Sequence, residues 1–130
     1  SIPVIANGDI VDGGTATTAL KRSGADGVMI GRGAQGRPWI LAQIAAELYG
    51  TSGPKVPVGQ AMIDMASTHY EAMLSFYGEE LGRKVARKHL GWYMDVTDTA
   101  PMLRKAILTH QRPKDVLRDL PDALCTQVAA

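Results

Sequence analysis

Cysteine is almost missing from this sequence: Cys125 is the only one in 130 residues. No internal disulfide and no cysteine-based metal site can be built from a single thiol. That scarcity fits a reducing compartment, and the cytoplasm is the expected location. An excess of charge is missing too, the formal net charge being +1 with 21% charged residues. A uniformly basic nucleic-acid binder is thereby excluded, but local patches are not. No apolar run is long enough to cross a membrane, and the first residues read as a strand, not a leader. The histidines are His69, His89 and His110. His69 and His89 fall on apolar helical faces and read as half-buried core groups. His110 falls in a loop, where no second histidine or carboxylate sits at a ligand spacing, so no metal is expected. What remains is a 45% apolar chain of ordinary globular composition, long enough for one domain or two small pieces.

The pattern changes character near residue 51. Ile2-Pro3-Val4-Ile5-Ala6 is a largely β-branched run closed by Asn7-Gly8-Asp9, and Gly27-Val28-Met29-Ile30 is a second run closed by Gly31-Arg32-Gly33. Both read as strands buried on both faces. Between them, Thr15 to Ser23 has helical spacing, with Lys21 and Arg22 in its last turn and Gly24 as its stop. A further helix is expected from Pro38 through Trp39, Ile40, Ile44 and Leu48 to Gly50. The order strand, helix, strand, helix predicts residues 1–50 as the last two units of a parallel (β/α)8 barrel of the TIM type. Two such strands alone leave open edges, so the chain, which begins at Ser1 directly in a strand pattern, is expected to be cut from a longer polypeptide.

Residues 51–59 have linker composition. Residues 60–124 read as all helix, a small four-helix bundle, with a tail at 125–130. Met62, Met65, Ala66, His69, Met73 and Tyr77 share one face of the first helix, and Gly78 ends it. The second helix runs from Glu79 to about Thr97. Asp98 or Thr99 is the expected cap of the third, with Pro101 in its first turn and Met102, Leu103, Ala106 and Ile107 as its apolar face. A short fourth helix follows Pro113 and uses Val116, Leu117 and Leu120.

Two places carry chemistry. In parallel α/β folds, ligands bind beyond the carboxyl ends of the strands. Here those ends are Asn7-Gly8-Asp9 and Gly31-Arg32-Gly33. Glycines there let backbone N–H groups approach an anion, Arg32 offers a planar charged fork, and a helix starting after Gly33 would aim its positive end at the same point. Each motif alone is also ordinary turn chemistry; the pair at the ends of consecutive strands favours a phosphate. The second place is the helix from Glu79. At about 100° per residue, Val85, Ala86, His89, Leu90, Trp92, Tyr93 and Val96 gather on one side, and Arg83, Lys84, Arg87 and Lys88 on the other with Gly91 among them. Arg104, Lys105, Arg112, Lys114 and Arg118 follow, against only Asp95, Asp98, Asp115 and Asp119 over Arg83–Leu120, so that stretch is basic. Such a stripe is either a phosphate-backbone contact or a solvated face.

Ile2 to Ile10 followed by Gly24-Ala25-Asp26-Gly27-Val28-Met29-Ile30-Gly31-Arg32-Gly33, then Pro38-Trp39, Tyr77-Gly78, Ala86-Arg87-Lys88-His89 and Trp92-Tyr93, resembles the C-terminal portion of bacterial tRNA-dihydrouridine synthases, in particular the B-type, NifR-like branch. The resemblance runs from residue 2 to about 124. It implies an FMN-dependent enzyme that reduces the C5–C6 double bond of tRNA uridines, with NADPH reducing the flavin. It implies that Asn7, Gly8, Asp9, Gly31 and Arg32 hold the FMN phosphate and nearby ribityl, and that Arg83, Arg87 and Lys88 meet the tRNA backbone, with His89 and Trp92 supporting that helix from below. The catalytic acid of the family is a cysteine on an earlier barrel loop, which Cys125 does not match, so no catalytic residue is expected in this chain. Arg37 departs from the family, which often has a small or polar residue before Pro-Trp. Two other readings stand beside this one: another FMN-dependent barrel oxidoreductase, and a stand-alone RNA-binding or regulatory module.

Overall fold

The computed structural model describes residues 1–125. Of the expected tail, only Cys125 falls among them, and it is exposed. The chain divides into two compact units, Ser1–Val56 and Pro57–Ala130. It is mostly helical, with one small parallel sheet of two strands.

In the first unit, strand β1 (Ile5–Asn7) pairs in parallel with β2 (Gly27–Met29), Ile5 opposite Gly27 and Asn7 opposite Met29. Helix α1 (Gly13–Ser23) connects them. Its start is fixed by a capping box: the Asp12 carboxylate accepts from Thr15 N–H at 2.7 Å, and the Thr15 hydroxyl accepts from Asp12 N–H at 3.1 Å. Its end is fixed by Gly24 at φ 67°, whose N–H donates to Leu20 O. After β2 comes a single 3-10 turn, Arg32–Ala34, then helix α2 (Ile40–Tyr49), closed by Gly50 at φ 66°. The core of this unit is Ile10, Ala16, Ile40 and Ile44, with Val28, Ile30 and Leu48 packed against it.

Two expectations are corrected here. The strands are shorter than the β-branched runs; Ile5 at 57% and Met29 at 50% exposed lie on an uncovered face, as expected of two barrel strands standing alone. Strand side chains alternate in direction, so Val28 and Ile30 reach the helices while Ile5 and Met29 face a side that no layer covers among the described residues. The helix expected from Pro38 starts at Ile40, because Arg37 to Trp39 form a turn first.

The second unit holds α3 (Gln60–Tyr77), α4 (Glu79–Val96), α5 (Pro101–Thr109) and α6 (Pro113–Leu124). Helix α4 packs on α3, α5 and α6. At the tightest point of the α3–α4 seam, a Cβ on Gly82 would lie 2.8 Å from both Leu74 Cα and Met73 O, so only glycine allows that approach. Met62, Ile63, Ala66, Tyr70 and Met73 are the buried side of α3, so Ile63 and Tyr70 belong to the core while Tyr77 stays exposed. Likewise Met94 is buried and Val96 exposed, and Met102 is 87% exposed where a core position was expected. Neither Asp98 nor Thr99 caps α5, whose cap is Ala100. Thr99 instead donates to Ala123 O at 2.7 Å, tying the α4–α5 turn to the end of α6. That last helix is not short, and buries Leu120, Ala123 and Leu124.

Candidate functional site

The loops after β1 and β2 bound a cleft of about 350 Å³, lined by Asn7, Gly8, Asp9, Gly31, Arg32 and Gly33 among others. All five residues expected at the phosphate therefore meet at one place. Gly8 at φ 140° and Asp9 at φ 47° turn the first loop sharply, a course that favours glycine and is tolerated by aspartate. The N–H groups of Gly8, Asp9 and Gly31 have no acceptor among the described residues. Arg32 stands over the cleft and donates to the Asp9 carboxylate at 3.2 Å. Both side chains are more than four-fifths exposed, so the pair contributes little to stability and orients Arg32 without sequestering it.

Two residues outside that set build the cleft. Gly33 lies so close to the first loop that a Cβ there would sit 2.4 Å from Ile10 O. Arg37 then clamps the two loops: its Nη2 donates to Val11 O at 3.1 Å and to Gly33 O at 3.2 Å. The sequence signal for Gly33 is its place in Gly-Arg-Gly; the signal for Arg37 is only its departure from the family. The expected helix N-terminus behind the cleft is absent. The 3-10 turn at Arg32–Ala34 is too brief to carry a macrodipole, so anion binding here rests on Arg32 and free N–H groups.

On α4 the basic stripe is narrower than expected. Lys84, Arg87 and Lys88 are exposed. Arg83 is half-buried and donates to the Gln111 carbonyl in the α5–α6 turn, so it braces the helices. Gly91 offers no approach to a backbone, because Arg104 covers it, donating to Gly91 O at 2.7 Å and to Asp95 at 2.6 Å. Arg112 and Arg118 both pair with Asp115, and Arg118 also with Asp119. In the helical unit Arg83, Arg87, Lys88, Lys105 and Lys114 have no acidic partner among the described residues, and of these Arg83 is engaged by the Gln111 carbonyl. His69 and His89 are half-buried as expected, and burial pushes both imidazoles below the ordinary histidine range. His110, expected without a ligand-spaced carboxylate, does have one neighbour, Asp119, at 2.7 Å. With His110 and Arg118 donating to it, the Asp119 carboxyl is held down to about 2. No group of three metal-ligating side chains forms among the described residues.

A family model described as "Dihydrouridine synthase (Dus)" matches residues 1–129. The chain is 52% identical over its whole length to a protein named probable tRNA-dihydrouridine synthase from Rhodobacter capsulatus, covering 40% of that relative. It is 45% identical to a protein of the same name from Rickettsia conorii, over 82% of this chain and 32% of the relative. It is 45% identical to a protein named tRNA-dihydrouridine synthase B from Vibrio cholerae, over 90% of this chain and 37% of the relative. The chain therefore spans no more than two fifths of the length of these relatives.

Proposed function

The chain belongs to the dihydrouridine synthase family, and from that premise we propose that it supplies the flavin-phosphate end and an RNA-contacting helical unit of a tRNA-dihydrouridine synthase. In this reading Ser1–Val56 is the closing part of a β/α barrel and the helices from Gln60 to Leu124 are a four-helix bundle that meets tRNA. The single observation that carries it is the cleft at the ends of the two strands, lined by Arg32 and by Gly8, Asp9 and Gly31, whose N–H groups have no acceptor among the described residues. The donor set suits a phosphate: a guanidinium fork for charge and backbone donors for the remaining oxygens. FMN is the group whose phosphate fits there, and when bound it supplies the hydride for the uridine C5–C6 double bond, with NADPH as its reductant.

The residues of this chain would then do three things. Arg32, oriented by Asp9, and the N–H groups of Gly8 and Gly31 bind the phosphate. Asn7, which also lines the cleft, would hold the adjoining polar chain. Arg87 and Lys88 neutralise RNA phosphates on the exposed side of α4, while Arg83 serves the fold. Protonation of C5 needs an acid, and Cys125, exposed just beyond α6, is not assigned that role. The test is spectroscopic, on the longer protein that contains this chain. Bound flavin should absorb in the blue, bleach with NADPH and recover with tRNA lacking dihydrouridine, and Arg32→Ala should lose its FMN on dialysis. A colourless protein that cannot be loaded with FMN would refute the assignment of the cleft.

A further inference from the structure

The helical unit has a second concave site, on the α3–α4 seam. It is a recess of about 390 Å³ lined by His69, Met73, Phe76, Tyr77, Val85 and His89. Phe76 is the only phenylalanine in the sequence, yet it is 80% exposed, standing edge-on to Tyr77 with ring centroids 4.8 Å apart. With Tyr77, itself 45% exposed, it makes an apolar aromatic pair at the rim of the recess. Deeper in, the His69 and His89 rings meet edge-on at 4.8 Å, and Trp92 flanks His89 at 5.1 Å. His69 Nδ1 pairs with the Tyr93 hydroxyl at 2.8 Å. Among the described residues, His69 Nε2 and both ring nitrogens of His89 have no hydrogen-bond partner. Burial favours the neutral form of both imidazoles, in which a ring carries one N–H donor and one lone pair.

The charge around the recess selects its occupant. Lys88 is exposed one helical turn before Trp92, the residue that flanks His89, so it stands at the edge of the recess where the two faces of α4 meet. Lys84 is partnered by Glu80 at 3.0 Å, and Lys88 has no acidic partner among the described residues. Glu71 lies two residues from both His69 and Met73, hence on the far side of α3. An aromatic face, neutral donors and acceptors, and a free cation beside them are the three elements that recognise an unpaired nucleotide: a surface to stack on, groups to meet the base edge, and charge for the phosphate.

We propose that this recess takes one unpaired base of an RNA strand, with Phe76 stacking on the base, His69 and His89 meeting its edge, and Lys88 holding the neighbouring phosphate. The proposal rests on the reading of α4 as an RNA-contacting helix, and it adds a base-binding site to a backbone contact. The test uses the full chain and a single-stranded RNA carrying one 2-aminopurine, beside a duplex of the same length. The fluorescent base should change its emission on binding, and the single strand should bind more tightly than the duplex. Phe76→Ala, at an exposed position, should weaken single-strand binding about ten-fold and remove the emission change without altering the salt dependence. Lys88→Ala should do the reverse, lowering the salt slope by about one and keeping the emission change. Salt-sensitive RNA binding that Phe76→Ala leaves intact would overturn the base site and spare the backbone contact. No salt-sensitive RNA binding at all would overturn both. Self-association of the chain that Phe76→Ala abolishes would give the recess to a second copy instead.

Discussion

Gly33 shows what one missing side chain does for this cleft. Its neighbour across the gap is the backbone carbonyl of Ile10, 2.4 Å from where a Cβ would stand, and Val11 Cα is next at 3.2 Å. Backbone cannot rotate aside as a flexible side chain can, so the two loops would have to separate. Arg37 resists that separation, since its Nη2 bonds a carbonyl on each loop. Gly33→Ala is therefore expected to destabilise the first unit by ~1–3 kcal/mol, the usual cost of forcing atoms into a packed site. Gly14 is the control: in the first turn of α1, its Cβ would meet nothing closer than Asp12 Oδ1 at 3.5 Å. Gly14→Ala should be neutral or stabilising by up to ~1 kcal/mol, because alanine is the better helix former. Urea unfolding of the two variants beside the parent checks the contrast. If both substitutions behave alike, the close approach at Gly33 is not what holds the loops.

The seam between α3 and α4 joins a stability argument to the recess on its surface. Gly82 lets the helices close to backbone contact, and that closeness half-buries His69 and His89. Burial favours the neutral imidazole, so both groups titrate below their ordinary value of 6.5 in the folded chain. The sign follows from linkage: the unfolded chain takes up protons first as pH falls, so stability is full above about 6.5 and declines below it. The carboxylates held down by hydrogen bonds, Asp12, Glu80, Asp115 and Asp119, add their own loss only at lower pH, beneath their ordinary values of 3.8 and 4.5. Between pH 8 and 5.5 the decline should therefore be shallower in His89→Gln than in the parent, measured by urea midpoints across that range. Parallel curves for the two proteins would show that His89 is not buried enough to couple folding to protons.

Across the whole molecule, what the sequence revealed and what it hid divide by whether the cause is local. Helix ends were legible because Gly24, Gly50 and Gly78 stop helices and Pro101 and Pro113 start them, each by its own backbone geometry. The two strand-end loops were legible as turns because Asn-Gly-Asp and Gly-Arg-Gly break a strand, and the parallel pairing of β1 and β2 brings both to one cleft. The length of the strands was not, since a β-branched run records a tendency to extend and be covered and does not say where pairing stops. The bond from Arg83 to the Gln111 carbonyl was also hidden: at about 100° per residue Arg83 falls on the edge of the basic stripe, and its acceptor comes from the distant α5–α6 turn. The same distinction governs how the chain should come apart. The first unit buries Ile10, Ala16, Ile40, Ile44 and Ala46 and leaves one sheet face open, whereas the second buries larger side chains from all four of its helices, Tyr70, Met94, Ile107 and Leu124 among them. Between them, residues 51–58 have no regular structure, and exposed Lys55 sits in their middle. Arg37 and Arg112 both precede proline, which protects those bonds from trypsin, and most other basic residues lie within helices. Brief trypsin treatment should therefore cut first after Lys55, and the product beginning at Val56 should persist while the first unit is degraded. Mass spectrometry of the early products decides this. A first cut between residues 60 and 124 would mean that the helical unit is the less stable of the two, and the ranking of the cores would have to be reversed.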